Sequence, residues 1–436
     1  MSHTFSPEVI AQIQERARLG GGAVRGLGAR RATPGFDDLL LLPAGLSGAP
    51  DLPRERCDTR TILGTRHAEE PVVLDIPITI AGMSFGALSS AAKEALGRAA
   101  TMTGTSTTTG EGGMAPVERD SAKTLVYQCL PSRFGFDPDH LRAADAVEIV
   151  LGQGAVPGGG GMLLGQKVTT PVAFMRDLPE GVDQRTASRH PDWAGPEGLR
   201  VKIEELREVT AWRIPVYVKI GASRVAPDVR HAVEAGADVI VVDGMQGGTG
   251  AAADVFIEHT GIPTLAATRV AADTLRTLGM DGQVQLVVSG GIRSGADVAK
   301  ALALGADAVS VGVAALIALG CNSPSDDTGA DVSLGYRALG TVPGSCTACH
   351  TGGCPVGIAT QDDMLADRLD PDFGAERVAN FLRALTKEAT MLARACGKSS
   401  VHQLGTDDLV ALTVEAAAMA RVPLAGTSWI PGTPIT

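Results

Sequence analysis

The chain has 436 residues, 44% of them hydrophobic, so it can bury one large core or a large domain with extensions. Its net charge of −11 argues against nucleic acids and anionic membrane surfaces as partners. The first residues show no basic stretch followed by an apolar one, and no run of about eighteen uncharged apolar residues occurs. We therefore expect a cytoplasmic protein that binds no nucleic acid and crosses no membrane.

Residues 1–75 are predicted to form an N-terminal extension. Apolar residues at helical spacing indicate an amphipathic helix from Pro7 toward Ala29, which runs into a segment rich in Gly and Arg from Gly20 to Arg31. We expect this extension to pack on the main domain or on a partner chain.

The sequence pattern changes at Ile76, where short β-branched runs that end in glycine alternate with helical stretches. Eight runs are predicted as strands: 78–81, 105–109, 146–150, 216–220, 239–242, 264–266, 286–288 and 308–311. Apolar strands separated by helices imply a parallel sheet with both faces covered. Eight such units over about 250 residues favour an α/β fold of the (β/α)8 TIM barrel type for residues 76–320, with a doubly wound open sheet as the alternative.

Four of the chain's seven cysteines fall within residues 321–361, namely Cys321, Cys346, Cys349 and Cys354. The last three form a C-x2-C-x4-C pattern on a glycine-rich loop, so their sulfurs can turn toward one point. Such spacing suits an iron–sulfur cluster or a structural zinc ion. Beyond this loop, residues 362–436 are predicted to form a helical C-terminal extension with helices at 377–395 and 406–420.

TIM barrels commonly bind phosphate with backbone N–H groups after strands seven and eight. Gly290 and Gly291 follow the seventh predicted strand, and Gly312 and Val313 follow the eighth. Glycine lets the backbone approach an anion closely, although a plain tight turn also explains the first pair. Lys219 lies near the end of another predicted strand, where it could pair with a carboxylate or stabilise a reduced flavin.

These features, taken in chain order, resemble the FMN-binding synthase domain of the glutamate synthase family. The resemblance spans roughly residues 77–361 and is carried by several motifs: 81–89, 109–113, 133–135, 153–155, Lys219, 243–250, Gly290 with Gly291, and the cysteine loop with 357–361. It implies FMN and a [3Fe-4S] cluster as cofactors, with [4Fe-4S] as an alternative because four cysteines are present. The chain departs from the family by inserting residues 322–345 between the first two cysteines.

The resemblance also implies roles for individual residues. We expect Lys219, Glu111 and Gln153 to act in catalysis, and Ser84, Gln128 and Arg133 to bind the substrate. Glu111 has an alternative role as a loop carboxylate that caps backbone N–H groups. Cofactor binding is implied for a larger set: Gly82, Met83, Ser84, Thr109, Gln153, Lys219, Gly247, Gly248, Thr249, Gly290, Gly291, Gly312 and Val313. Metal ligation is implied for Cys321, Cys346, Cys349 and Cys354.

The family reduces an imine of 2-oxoglutarate with flavin hydride. Where the large glutamate synthases have K-P-G-E-G-G-Q, this chain has V-P-G-G-G-G-M at residues 156–162, and it carries neither the amidotransferase nor the β-helix domain of those enzymes. These departures, with residues 161–165 and 426–432, resemble the N-methylglutamate synthase branch, in which methylamine replaces the amino group of glutamate. We therefore expect 2-oxoglutarate or glutamate and a small amine as substrates, and a hetero-oligomer with subunits that resemble the missing domains.

Four other functions stay open at this point. An inosinate-dehydrogenase-like enzyme would need a nucleophilic cysteine on a mobile loop, and Cys321 lies in that neighbourhood, although three cysteines at ligand spacing follow it. A glutamate synthase catalytic subunit would use ammonia in place of methylamine. A flavin and iron–sulfur subunit could transfer electrons without catalysing a reaction of its own. A 2-hydroxy-acid oxidase would need a His–Arg pair at the late strand ends, but Arg293 has no histidine beside it in the sequence.

Overall fold

A computed structural model describes residues 4–20, 22–46, 56–156, 158 and 160–432. Its central sheet has eight parallel strands: β1 (Ile78–Ile80), β2 (Ser106–Thr108), β3 (Thr124–Cys129), β4 (Ala146–Val150), β5 (Val216–Gly221), β6 (Val239–Asp243), β7 (Gln285–Ser289) and β8 (Ala308–Val311). Each barrel strand from β2 to β7 pairs with the next barrel strand in the chain, and β8 pairs with β1. At the remaining seam, the Thr105 hydroxyl donates to the Ile78 carbonyl and holds β2 beside β1. The sheet is a nearly closed barrel, so the predicted (β/α)8 fold is confirmed.

Two strand predictions were wrong. Strand β3 was missed because the polar Gln128 interrupts its apolar run. Residues 264–266, predicted as a strand, instead begin the helix Thr264–Thr277, which starts after Pro263 at its N-cap. A run of three residues is too short to separate strand from helix by periodicity, and packing of Leu265 and the following alanines decides it.

The outer layer consists of helices that cover the barrel: Ser90–Met102, Pro116–Ser121, Pro138–Ala143, Gly195–Val209, Val225–Glu234, Thr264–Thr277, Gly295–Ala303 and Val313–Leu319. Shorter helices lie in loops at Thr170–Arg176, Asp254–His259, Ser333–Ala338 and Asp363–Ala366. Turns of 3-10 helix lie at Phe36–Asp38, Gly165–Lys167, Cys349–Thr351, Val401–Gln403 and Thr406–Asp408. None of the helices in the described ranges is long and apolar enough to cross a bilayer.

Four small antiparallel pairs complete the fold. They join Val24–Leu27 to Thr249–Ala253, Met162–Leu163 to Gln184–Arg185, Leu39–Leu41 to Leu409–Ala411, and Thr61–Leu63 to Val72–Leu74. The last pair closes the bottom of the barrel, because Leu63 and Leu74 pack with inward-facing residues such as Val126 and Val239. The open end of the barrel is therefore the end where the strands have their carboxyl termini.

The terminal segments differ in detail from the sequence prediction. The N-terminal helix is Pro7–Leu19 and ends at Gly20, whose φ of 67° is left-handed, and the rest of the predicted helix contains the strand Val24–Leu27. The C-terminal helix is Pro371–Ala395; it begins before residue 377 because the Asp370 side chain caps it. Residues 406–420 form a 3-10 turn, a strand and the helix Val414–Ala420 rather than one helix.

Candidate functional site

A cavity of about 450 Å³ opens at the carboxyl ends of the strands, a size typical of small-molecule sites. Loops from the barrel, the Leu27–Gly28 segment and the cysteine loop form its wall. Most of the predicted site residues line it: Gly82, Met83, Ser84, Glu111, Gln128, Gln153, Lys219, Gly247, Gly248, Thr249, Gly290, Gly291, Gly312, Val313, Cys321, Cys346, Cys349 and Cys354. Thr109 and Arg133 do not.

Thr109 and Arg133 lie just outside this wall. The Thr109 hydroxyl accepts a hydrogen bond from the Gln128 backbone N–H at 3.0 Å, so it supports a residue that does line the cavity. The Arg133 guanidinium forms an ion pair with Asp192 and lies 4.8 Å from the centroid of the Phe136 ring. Arg133 therefore pairs with a residue of a distant loop, since Asp192 follows it by almost sixty residues in the sequence.

A buried ion pair supports the first two loops of the barrel mouth. The Lys93 ammonium donates to the carbonyls of Met83 at 2.6 Å and Thr109 at 3.0 Å, and it lies 2.6 Å from the Glu118 carboxylate. Both charged side chains are essentially inaccessible to solvent. Lys93 thus fixes the two loops that carry Met83 and Thr109.

Lys219 is the buried cation at the top of the barrel interior. Its ammonium lies 4.0 Å from Asp243 Oδ2 and has no hydrogen-bond partner within the described ranges. On the adjacent strand, Glu148 accepts a hydrogen bond from Gln128 Nε2 at 2.5 Å. Burial raises the pKa of Glu148, while Lys219 and then Gln128 act to lower it. Together these side chains form a polar layer beneath the cavity.

Asp243 joins three loops of the mouth. It accepts hydrogen bonds from the Gly154 N–H at 2.9 Å and from the Ser289 hydroxyl at 2.7 Å. A Cβ on Gly154 would lie 2.0 Å from the Gly244 carbonyl oxygen, so only glycine allows the loops after β4 and β6 to approach this closely. One carboxylate therefore sets the geometry around Lys219.

Glycines after β7 and β8 form a cradle of backbone groups. Gly290 and Gly291 have φ values of 107° and 78°, and a Cβ on Gly290 would lie 2.9 Å from the Gly244 nitrogen. Gly312 begins the helix Val313–Leu319 without a side-chain cap. In the described part of the chain, no acceptor is found for the backbone N–H groups of Gly290, Gly291 and Gly312. Unpaired amides at this position fit a phosphate group.

The Glu111 carboxylate lies on the cavity wall and is paired with hydroxyl groups. Thr186 Oγ1 lies 2.8 Å from each of its oxygens, and the Ser132 hydroxyl also donates to it. The Arg176 guanidinium donates to the Glu111 carbonyl at 3.1 Å and fixes the loop. Among the described residues, the Glu111 carboxylate thus contacts side chains, and no backbone N–H group donates to it.

The four cysteines of the C-terminal loop share the cavity wall. Burial, followed by the neighbouring Cys349 and Cys354, raises the pKa of Cys321 to about 12. The pKa of Cys349 is raised to about 11 by burial and then by Cys354. Among the residues that the structure describes, no three His, Cys, Asp or Glu side chains converge as ligands of one metal ion would.

Several residues of the site carry no assignment from the sequence. Lys167 donates to the carbonyls of Ala87 at 2.7 Å and Cys349 at 3.2 Å, and burial lowers its pKa to about 8. Nothing in its local pattern indicates this placement. Glu148 did carry a signal, because it is the only charged residue in the apolar strand β4.

A family model described as a conserved region in glutamate synthase matches residues 51–325 and 329–399. The chain belongs to the glutamate synthase family. It is 59% identical over 432 residues to the glutamate synthase large subunit-like protein of Rhizobium meliloti (strain 1021), covering 99% of this chain and 96% of the relative. The family expected from the sequence is thus confirmed.

Other relatives of this glutamate synthase family member are more distant. The archaeal glutamate synthase [NADPH] of Methanocaldococcus jannaschii is 37% identical over 420 residues, which cover 90% of this chain and 78% of the relative. Among solved structures, a putative lactate oxidase of Pediococcus acidilactici aligns with a TM-score of 0.54 at 17% identity, covering 87% of this chain and 84% of the oxidase. At that identity the likeness concerns the barrel fold alone.

Proposed function

We propose that this chain is the FMN-dependent catalytic subunit of an N-methylglutamate synthase, which converts methylamine and L-glutamate into N-methyl-L-glutamate and ammonia. The observation that carries the proposal is one cavity that combines the unpaired amides of Gly290, Gly291 and Gly312 with an apolar wall near Met162. Bound FMN would take a hydride from glutamate Cα and return one to the carbon of the N-methyl imine, so that no external reductant is consumed.

The glycine cradle and the cavity floor fit the two ends of a flavin mononucleotide. Gly290, Gly291, Gly312 and Val313 would hold the phosphate with backbone N–H groups. Lys219, whose ammonium lies 4.0 Å from Asp243 Oδ2, would stabilise negative charge on the reduced ring. The remaining proposed contacts come from loop residues on the cavity wall: Gly82, Met83, Ser84, Gln153, Gly247, Gly248 and Thr249. Thr109, which lies behind this wall, would support them through its hydrogen bond with the Gln128 backbone.

The substrate would bind above the polar layer. Ser84 and Gln128 line the cavity, and Gln128 is oriented by Glu148, so we assign to them the first contacts with the substrate carboxylates. Arg133 would grip a carboxylate only after Asp192 releases it. Glu111, held by two hydroxyl groups, would hold or transfer the proton of the amine with Gln153 nearby.

The amine side of the cavity is apolar. Val156 and Leu163 are buried side chains on its wall, and Met162 lies beside them. Gly159, which replaces a carboxylate of the larger enzymes, lies outside the described residues. We propose that Met162 gives an N-methyl group an apolar contact at a position where an amide would attract a hydrated ammonium ion.

Restoring the amide of the larger enzymes tests this assignment. We expect Met162→Gln to reduce the preference for methylamine over ammonia by about tenfold, because one methyl contact is worth about that factor. The ratio of N-methylglutamate to glutamate formed from equal amounts of both amines measures it. Phe174→Gln, an exposed position outside the cavity wall, is the matched control. An unchanged product ratio would show that Met162 does not determine the preference for methylamine.

The cysteines are proposed to hold a [3Fe-4S] cluster, or a [4Fe-4S] cluster if all four ligate. Thiolates of a cluster bind different iron atoms, so they stand farther apart than ligands of one zinc ion. Cys321, Cys346, Cys349 and Cys354 line the wall of one cavity, which supports this choice.

We further propose that the chain divides into an extension (1–75), the FMN barrel (76–320), the cluster loop (321–361) and a helical extension (362–436). Subunits that resemble the amidotransferase and β-helix domains of glutamate synthases are the proposed partners. A second function is supported by the relatives that are named archaeal-type glutamate synthase [NADPH]: amination of 2-oxoglutarate with ammonia. That reaction consumes an external electron donor, which separates the two in an assay.

A further inference from the structure

The segment 322–345, which separates Cys321 from Cys346, folds back over the cysteine loop. A Cβ on Gly335 would lie 2.9 Å from Pro355 Cβ, and one on Gly353 would lie 3.2 Å from Leu339 Cδ2. The helix Ser333–Ala338 therefore rests directly on the residues that flank Cys354.

This helix buries a tyrosine beside the thiols. Tyr336 is 1% exposed and lines the same cavity as the four cysteines. Cys354, Cys321 and Cys346 lie close enough to act on it electrostatically. Its hydroxyl has no hydrogen-bond partner in the described part of the chain. A buried hydroxyl without a partner costs free energy, so the Tyr336 O–H is free to donate to an acceptor bound beside the thiols.

Asn322 provides a second donor at the start of the segment. Its amide lies 3.5 Å from Cys321 Sγ and 3.3 Å from the Cys346 carbonyl, and its Oδ1 accepts from the Cys346 N–H at 2.7 Å. With a φ of 64°, it adopts the left-handed conformation that asparagine tolerates. Asn322 thus joins the first two cysteines across the segment and directs an N–H group at a sulfur.

We propose that residues 322–345 form a hydrogen-bonding cap that raises the reduction potential of the cluster, with Tyr336 O–H and Asn322 Nδ2–H as donors to its sulfur atoms. The inference rests on the cluster assigned under the proposed function. Hydrogen bonds to sulfur stabilise the more negative, reduced cluster, and burial by the cap limits access of water. The cap therefore sets the midpoint of the one-electron couple.

A redox titration of Tyr336→Phe tests the cap. Wild-type protein and the variant are purified anaerobically, their iron and acid-labile sulfide are measured, and dithionite titrations are followed by electron paramagnetic resonance. We expect the same iron content and a tenfold lower ratio of reduced to oxidised cluster at a given potential, which corresponds to a midpoint about 59 mV lower. The Asn322→Leu variant should shift the midpoint in the same direction.

Tyr217→Phe is the matched control, because Tyr217 also has a buried hydroxyl with no partner among the described residues but lies in the barrel interior. It should leave the midpoint unchanged. If both proteins contain the cluster and Tyr336→Phe has the same midpoint as wild type, the cap is overturned and the cluster assignment stands. A wild-type protein without iron or sulfide after anaerobic reconstitution overturns the cluster, and the cap with it.

Discussion

Lys219 and Glu148 lie on adjacent strands of the barrel interior, and Gln128 completes their polar layer. Position at a strand end was enough to propose Lys219 as a site residue, because chemistry in this fold gathers there. Gln128 was proposed only through the family resemblance, because its strand was not predicted. The Asp192 partner of Arg133 was not predictable, since no local pattern pairs residues from two distant loops. Tyr336 was not predicted as a site residue for the same reason, because only the fold of its segment brings it to the cavity.

Lys219 yields the prediction at this scale. We expect Lys219→Met to slow flavin reduction by glutamate about 10²-fold, because a preorganised charge beside the flavin stabilises the hydride-transfer transition state. Stopped-flow absorbance under anaerobic conditions measures the rate. Lys398→Met serves as control, since that ammonium pairs with Asp408 away from the cavity wall. Equal rates in wild type and Lys219→Met would contradict the proposed role.

Three turns at the amino ends of barrel strands have the same hydrogen bond, in which an aspartate side chain accepts a backbone N–H. Asp145, Asp238 and Asp307 each accept the backbone N–H of a residue in the preceding barrel strand or at its start, at 2.8, 2.8 and 2.7 Å. The repeated Gly-Ala-Asp at 236–238 and 305–307 indicated these turns in the sequence. Asp238 also pairs with Arg207, whereas Asp307 has no ion pair among the described residues.

Asp307 should therefore make stability depend on pH. Burial raises its pKa to about 6, above the ordinary value of an unfolded chain. A raised carboxyl pKa stabilises the fold below about pH 4, and this contribution is lost as the pH rises through 6. Asp307→Asn should raise the free energy of unfolding, relative to wild type, by about 2 kcal/mol more at pH 7 than at pH 4. Urea unfolding at the two pH values measures this difference. A difference that does not change with pH would contradict this.

At the scale of the molecule, the barrel was predictable and its connections to the termini were not. The alternation of strands and helices determines a parallel barrel, but pairing of Leu39–Leu41 with Leu409–Ala411 joins segments that no periodicity relates. The strand Val24–Leu27 likewise crosses the mouth, where the Gly26 N–H donates to the Thr347 carbonyl at 2.8 Å. The N-terminal extension thus becomes part of the wall of the cavity.

Arg25 anchors that strand, with its Nε 2.5 Å from Asp254 and its guanidinium also paired with Glu258. We expect Arg25→Met to destabilise the protein by about 3 kcal/mol, because it leaves two largely buried carboxylates without their cation. Urea unfolding measures the loss. Arg200→Met, which removes exposed ion pairs, should change stability by less than about 1 kcal/mol. Similar values for both variants would contradict the anchoring role.

The most direct test of the central claim is an anaerobic absorbance titration of the purified protein with L-glutamate alone, followed by methylamine. Our account predicts a bound flavin whose oxidised absorbance band disappears on adding glutamate and returns on adding methylamine after 2-oxoglutarate is present, with N-methylglutamate as product. A protein that contains no flavin, or whose flavin stays oxidised with glutamate and is reduced only by an external donor, would contradict it.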